Sequence, residues 1–493
     1  MSKSQIDATQ NFNLVCCVIG GFVALFGLVS YLLKEGFYVT EPLLSLAAGA
    51  LLSPSGIHLL RPHQYFPSPA ALSTATLNFT RLVLGIQLVI AGVRLPSAYL
   101  RTSWRSLSIL LGPGMLGMWL TTSTLAWLLV PGLTLVQGLI VGACVTPTDP
   151  VLSNSIVAGT FADKHISSPL QKIIIAESGA NDGLGYLFLF LPLYLVKYVG
   201  RDGGTDTQKA VTEFVGGTVV WTVGASVVYG AVAGWAARCA LFWAEGRRLV
   251  DRESFHLFVV ALALLIIGTV GLMDADDVLA CFIAGNAFTW DDWFRQETAH
   301  DSLQPIMDFL LNITVFIWLG AVCPWSSFFP SPSPSPSSSP NSNSVPIIPP
   351  DRLILLAILV LLLRRLPVIL ILRNHIPQIQ NIRHALIMGF FGPIGVSAIF
   401  YLYVTREFLA RVQQENPDRE QEIGKLADVC LVAVWFLVVS SVVVHGLAVP
   451  LGNLALLSPR VFNRIRRLGT NKADSRQTGS DAERRPLLAE SSV

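Results

Sequence analysis

Apolar runs separated by short polar connections recur along almost the whole chain, and most are long enough to cross a bilayer as a helix, which takes about 20 residues. About thirteen spans are predicted on that criterion, at residues 13–33, 39–53, 75–95, 106–130, 133–158, 169–197, 213–241, 254–272, 275–290, 303–322, 351–373, 382–403 and 427–453. The second and ninth are short, so a count of twelve stays open. The first run is long enough to span and Lys3 is a thin positive flank, so it reads as a membrane helix rather than a cleaved signal. The expected fold is all-α and polytopic.

Two spans are interrupted alike. The fifth carries Thr146-Pro147-Thr148-Asp149-Pro150 and the twelfth Gly389-Phe390-Phe391-Gly392-Pro393-Ile394-Gly395. Proline inside a helix removes a backbone donor and clashes with the preceding turn, so both helices are expected to be broken. Proline and glycine are also ordinary in membrane helices, and either break alone would mean little. The breaks lie seven spans apart, an odd offset that runs corresponding helices in opposite directions, as if spans 1–6 and 8–13 were repeats joined by span 7. Inverted repeats with matched broken helices mark a transporter substrate site near the midplane.

Composition sharpens this. The chain is 52% hydrophobic and only 13% charged, with a mean hydropathy of +0.57. Its net charge of +2 comes without a basic patch interleaved with aromatics, which argues against nucleic acid as a partner. The seven cysteines show no CxxC and no metal-ligand spacing, and read as small buried apolar residues. Arginines collect in alternate connections: Arg94, Arg101 and Arg105; Arg238, Arg247, Arg248 and Arg252; Arg373 and Arg383; and the tail from Arg460. Those connections are expected to be cytoplasmic, with the C-terminus, whereas the uncharged Val130-Pro131-Gly132 turn and the Pro/Ser-rich stretch 324–350 lie outside. The organisation expected is a membrane region at 1–460, with a flexible connection at 324–350, and a short polar tail at 461–493 with no sizeable soluble domain.

The candidate chemistry sits in the sixth span, where Glu177-Ser178-Gly179-Ala180-Asn181-Asp182 interrupts the apolar run 170–196. Ionisable groups at that depth are costly and mark ion or proton pathways. Helical spacing pairs Ser178 with Asp182 and Glu177 with Asn181 on neighbouring faces. Burial disfavours the charged carboxylate and a nearby cation favours it, so a proton and a monovalent cation compete for Asp182. If each conformational change needs one or the other, exchange results. Asp149 followed by Pro150 matches the N-cap of a restarting half-helix, leaving unwound carbonyls near Thr148 to face a cation. Thr148, Ser178 and Asp182 then offer an oxygen shell for Na+, Li+ or K+; alternatively, Thr146, Thr148 and Ser178 bond their own helix backbone.

Glu177 needs a counter-ion or a proton. Arg364 and Arg365 interrupt the eleventh span; one is expected to turn inward, and Arg364 to snorkel to the cytoplasmic surface. Asp276 and Asp277 open the ninth span, either as cation attractants that titrate in transport or as ordinary partners of a helix N-terminus. His58, His165 and His445 are pH-sensing candidates or structural residues.

These residues resemble a known family. Thr148-Asp149-Pro150-Val151-Leu152, Ser155-Ile156-Val157, Phe161-Ala162-Asp163-Lys164-His165, Glu177-Ser178-Gly179 with Asn181-Asp182-Gly183, Phe391-Gly392-Pro393-Ile394-Gly395 and Arg365 are similar to the fungal sodium/proton antiporters of the monovalent cation:proton antiporter superfamily. The resemblance implies two crossed discontinuous helices in a mobile core, a dimerisation domain and an elevator-like movement in a homodimer. It also implies that Asp182 binds ion and proton, with Asn181 beside it and Thr148, Asp149 and Ser178 around the ion. Glu177 would pair with Arg365, Asp276 and Asp277 would assist transport, and one cation would exchange per proton, with no cofactor.

The implied role is a transporter serving cation tolerance and pH homeostasis, not an enzyme. A cation channel is a second reading, and an intramembrane aspartyl protease a weaker third, since neither a GxGD nor a YD-type motif occurs. The expected location is the plasma membrane; Glu483-Arg484-Arg485-Pro486-Leu487-Leu488 resembles an acidic dileucine signal and keeps an endosomal or vacuolar membrane open.

Overall fold

The computed structural model describes residues 3–31, 39–150, 152–153, 166–199, 206–299, 303–329, 346–448 and 450. Ser155-Ile156-Val157, His165 with its motif, most of the Pro/Ser-rich connection and the tail with its dileucine sequence lie outside these residues. The described chain is helical almost throughout: α1 (Lys3–Tyr31), α2 (Glu41–Leu52), α3 (Pro69–Arg94), α4 (Trp104–Leu129), α5 (Leu135–Val145), α6 (Ser168–Tyr198), α7 (Thr207–Gly246), α8 (Arg252–Leu272), α9 (Asp277–Phe288), α10 (Leu303–Val322), α11 (Pro350–His375), α12 (Ile382–Phe390), α13 (Val396–Glu415) and α14 (Pro417–Ala448). Among the described residues nine helices are long and apolar enough to cross a membrane. The short α2, α5 and α9, and the α12/α13 pair, occupy the remaining expected spans.

Helix α6 is the hub, packing on α3, α5, α9 and α13. Its partner α3 is buried over most of its length, whereas α1 and α7 turn apolar side chains outward, including Leu28, Val220, Trp221, Val232 and Trp235. Exposed apolar faces of that kind suit lipid. Close approach depends on small residues where α2 meets α10: a side chain at Gly49 would run into the Ile317 backbone, and one at Gly320 into that of Leu46. Such stripes let membrane helices pack backbone to backbone.

Both predicted breaks are present. Helix α5 starts at a capping box, Thr134 with Gln137, and ends before Pro147. Helical backbone resumes at Pro150, with the Ser153 amide donating to the Asp149 carbonyl at 3.0 Å. Helix α12 starts at Asn381, which caps the His384 amide, and ends at Phe390; α13 begins at Val396 after an unwound stretch. The two breaks touch, because the Asp149 amide donates to the Pro393 carbonyl at 3.1 Å.

Candidate ion site at the helix crossing

The crossing carries opposite charges on its two sides. The Asp149 carboxylate accepts from the Val396 amide at the first turn of α13. It therefore caps the other broken helix as well as sitting at the N-cap position of its own, a role that spacing within one span cannot reveal. Opposite it is Arg364. Instead of snorkelling to the surface, this side chain is buried, and its guanidinium donates to the carbonyls of Val145, Thr146 and Pro147 and to that of Gly392. The reason is local: Pro367 interrupts α11, helical backbone lapses at Arg364 and Arg365, and both arginines point inward. Each helix C-terminus carries about half a negative charge, so one guanidinium matches the ends of α5 and α12 together. Carbonyls expected to face a cation are thus held by Arg364.

Glu177 and Arg365 form a two-pronged buried ion pair, with Nη1–Oε1 at 2.7 Å and Nη2–Oε2 at 2.5 Å. Arg365 also donates to the Met388 carbonyl at 2.9 Å. A side chain at Gly392 would collide with Arg365, so glycine there makes room for the pair.

Asn181 and Asp182 face different neighbours. The Asn181 side chain accepts from the Thr148 amide at 3.1 Å and donates to the Thr148 hydroxyl at 2.8 Å. The Thr148 and Ser178 hydroxyls lie 3.2 Å apart, and Ser178 donates to Ser153 at 3.3 Å. Ser178 therefore joins Asn181, three residues on, in contact with Thr148. Positions three apart are as close around a helix as those four apart. Of the three hydroxyls for which bonding to their own helix was the alternative, Thr146 alone does so among the described residues, on the Gly142 carbonyl at 2.7 Å. Asp182 stands apart from this knot. It is completely buried, and neither carboxylate oxygen has a hydrogen-bond partner among the described residues.

The accessory acids divide. Asp276 caps α9, accepting from the Leu279 amide at 2.9 Å, while its other oxygen is buried without a partner among the described residues. Asp277 pairs with Arg81 of α3 at 2.6 Å. His58 is exposed, whereas His445 is buried on α14 with its ring nitrogens 2.8 Å from the Ser441 carbonyl and 3.0 Å from the Phe390 carbonyl, bracing the second break. Arg81, Ser153 and Tyr401, whose hydroxyl donates to the Asp182 main-chain carbonyl, were not singled out from sequence. For Arg81 the signal is present, as an arginine well inside an apolar span.

A transmembrane sodium/hydrogen exchanger family model matches residues 21–451. The chain belongs to the sodium/hydrogen exchanger family. Among exchangers, the Na(+)/H(+) antiporter 2 of Zygosaccharomyces rouxii is 35% identical over 458 residues, which are 91% of this chain and 54% of that protein. The Na(+)/H(+) antiporter of Saccharomyces cerevisiae is 33% identical over 453 residues, 90% of this chain and 44% of its own length. The chain thus spans about half the length of these relatives. The fold is that of the solved sodium proton antiporter of Methanocaldococcus jannaschii, with a TM-score of 0.62 at 15% identity, covering 89% of this chain and 97% of that one. Discontinuous crossed helices are therefore part of an exchanger fold.

Proposed function

We propose that this chain is a secondary antiporter that exchanges one monovalent cation, Na+ with Li+ or K+ as alternatives, for one proton at Asp182. The observation that carries the reading is the buried carboxylate, both of whose oxygens lack a partner among the described residues, beside the crossing of two broken helices. A group so placed demands either a proton or a cation. Its neighbour Asn181 is tied to Thr148 and adds no second charge, which favours one-for-one exchange. Asp149 acts as a fixed charge near the ion, Thr148 and Ser178 as the wall beside it, and the Glu177–Arg365 pair as its support. The relatives' printed names favour sodium over other cargo. The positions of Arg94, Arg238 and Arg373 support a cytoplasmic C-terminus, and we place the protein in the plasma membrane as a homodimer.

The test is cation-driven proton flux in proteoliposomes. Asp182→Asn is expected to abolish exchange of Li+, Na+ and K+ while the protein still elutes as a single folded species. Undiminished exchange by that variant would sink the reading.

A further inference from the structure

Ser397 lies in the first turn of α13, 1% exposed, and its hydroxyl has no hydrogen-bond partner among the described residues. A serine inside a membrane helix ordinarily satisfies its hydroxyl on the carbonyl four residues back. For Ser397 that residue is Pro393, which lies in the unwound stretch and whose carbonyl already accepts from the Asp149 amide. The helix break therefore leaves a hydroxyl in the protein interior without its usual backbone acceptor free among the described residues.

What faces it is fixed by Tyr401, one turn further along. Tyr401 is fully buried and donates its hydroxyl to the Asp182 main-chain carbonyl, with the Gly183 carbonyl 3.4 Å away. Gly185 permits this approach, since a side chain there would meet the Tyr401 ring. Residues four apart share a helix face, so the side of α13 that brings Tyr401 to Asp182 also presents Ser397. The Ser397 hydroxyl and both Asp182 carboxylate oxygens are buried without a hydrogen-bond partner among the described residues. The hydroxyls of Thr148 and Ser178, by contrast, are engaged with Asn181, Ser153 and each other.

We propose that Ser397 supplies a cation-coordinating hydroxyl opposite Asp182 and sets which monovalent cation the site prefers, with Tyr401 as the residue that positions Asp182. Hard cations take oxygen ligands of this kind, and a ligand from α13 places the ion between α6 and the second broken helix. The proposal rests on the exchange reading of Asp182 given above.

The experiment compares Ser397→Ala, Ser397→Thr and Asp182→Asn with the unmodified chain in proteoliposomes, measuring apparent affinity and maximal rate for Li+, Na+ and K+ at one pH. Ser397→Ala is expected to weaken apparent Na+ affinity about tenfold, as loss of one charge-assisted contact implies, with maximal rate and melting temperature little changed. Ser397→Thr keeps the hydroxyl but adds a methyl group, so affinity is retained for one cation and the Li+:Na+:K+ order shifts. A lower maximal rate for all three cations in equal proportion, with affinities and their order unchanged, is the mark of a merely structural serine and overturns the proposal. Should Ser397→Ala not fold, the near-isosteric Ser397→Cys gives the same readouts. An inactive Asp182→Asn beside a Ser397→Ala of normal affinity and order refutes only the serine's role; an active Asp182→Asn refutes the exchange reading beneath it.

Discussion

Removing one half of the Glu177–Arg365 pair leaves the other charge stranded. Both side chains are almost inaccessible, 1% and 3% exposed. In Glu177→Gln the Arg365 guanidinium keeps the Met388 carbonyl but loses its carboxylate. Breaking a buried pair costs about 3–5 kcal/mol, because a charge is left without compensation, whereas replacing both partners by neutral groups is often tolerated. Taking about 2 °C per kcal/mol, the low end for larger domains, each of Glu177→Gln and Arg365→Gln should lower the melting temperature by roughly 6–10 °C. The Glu177→Gln/Arg365→Gln double variant should recover much of that loss, giving a coupling energy of about 2 kcal/mol or more. The assay is thermal unfolding in detergent followed by size-exclusion chromatography at a fixed heating rate, because unfolding of such proteins is commonly irreversible. Singles within a degree or two of the unmodified chain, or strictly additive losses, would refute the view that this pair is a mutual neutralisation.

Two further outcomes follow from the same geometry. Arg364→Lys should keep the charge at the crossing but not the fork that reaches the ends of α5 and α12 together, so it should fold with lower thermal stability, and Arg364→Ala should lose more, both readable in the same unfolding assay. If proton and cation share Asp182, apparent Na+ affinity should weaken as pH falls, by up to about tenfold per pH unit, and an affinity constant between about pH 5 and 8 would contradict a shared carboxylate.

The span positions and both breaks were legible because hydrophobic length and mid-helix proline are local properties, written in consecutive residues. The Glu177–Arg365 pairing was also accessible, since a buried acid needs a base and few arginines interrupt apolar runs. What could not be read is how the two breaks meet. Asp149 sits at the N-cap of its own half-helix and caps α13 as well; Arg364, expected at the surface, lies in the centre. Both outcomes depend on contacts between residues more than 200 positions apart, for which one sequence offers no spacing rule. The partners of Ser178 were unreadable for a simpler reason: helical spacing allows both three- and four-residue neighbours and says nothing of the Thr148 and Ser153 hydroxyls that meet it from the first broken helix.

Unwound backbone in a helix is usually where it bends. Here the opposite holds, because a single guanidinium grips the ends of α5 and α12 and a single carboxylate grips the start of α13. The gaps in the helices are consequently braced by side chains from outside each broken segment, and bending at either gap would break those contacts. A movement that preserved these contacts would carry α5, α12, the start of α13 and, through Asn181 on Thr148, α6 together.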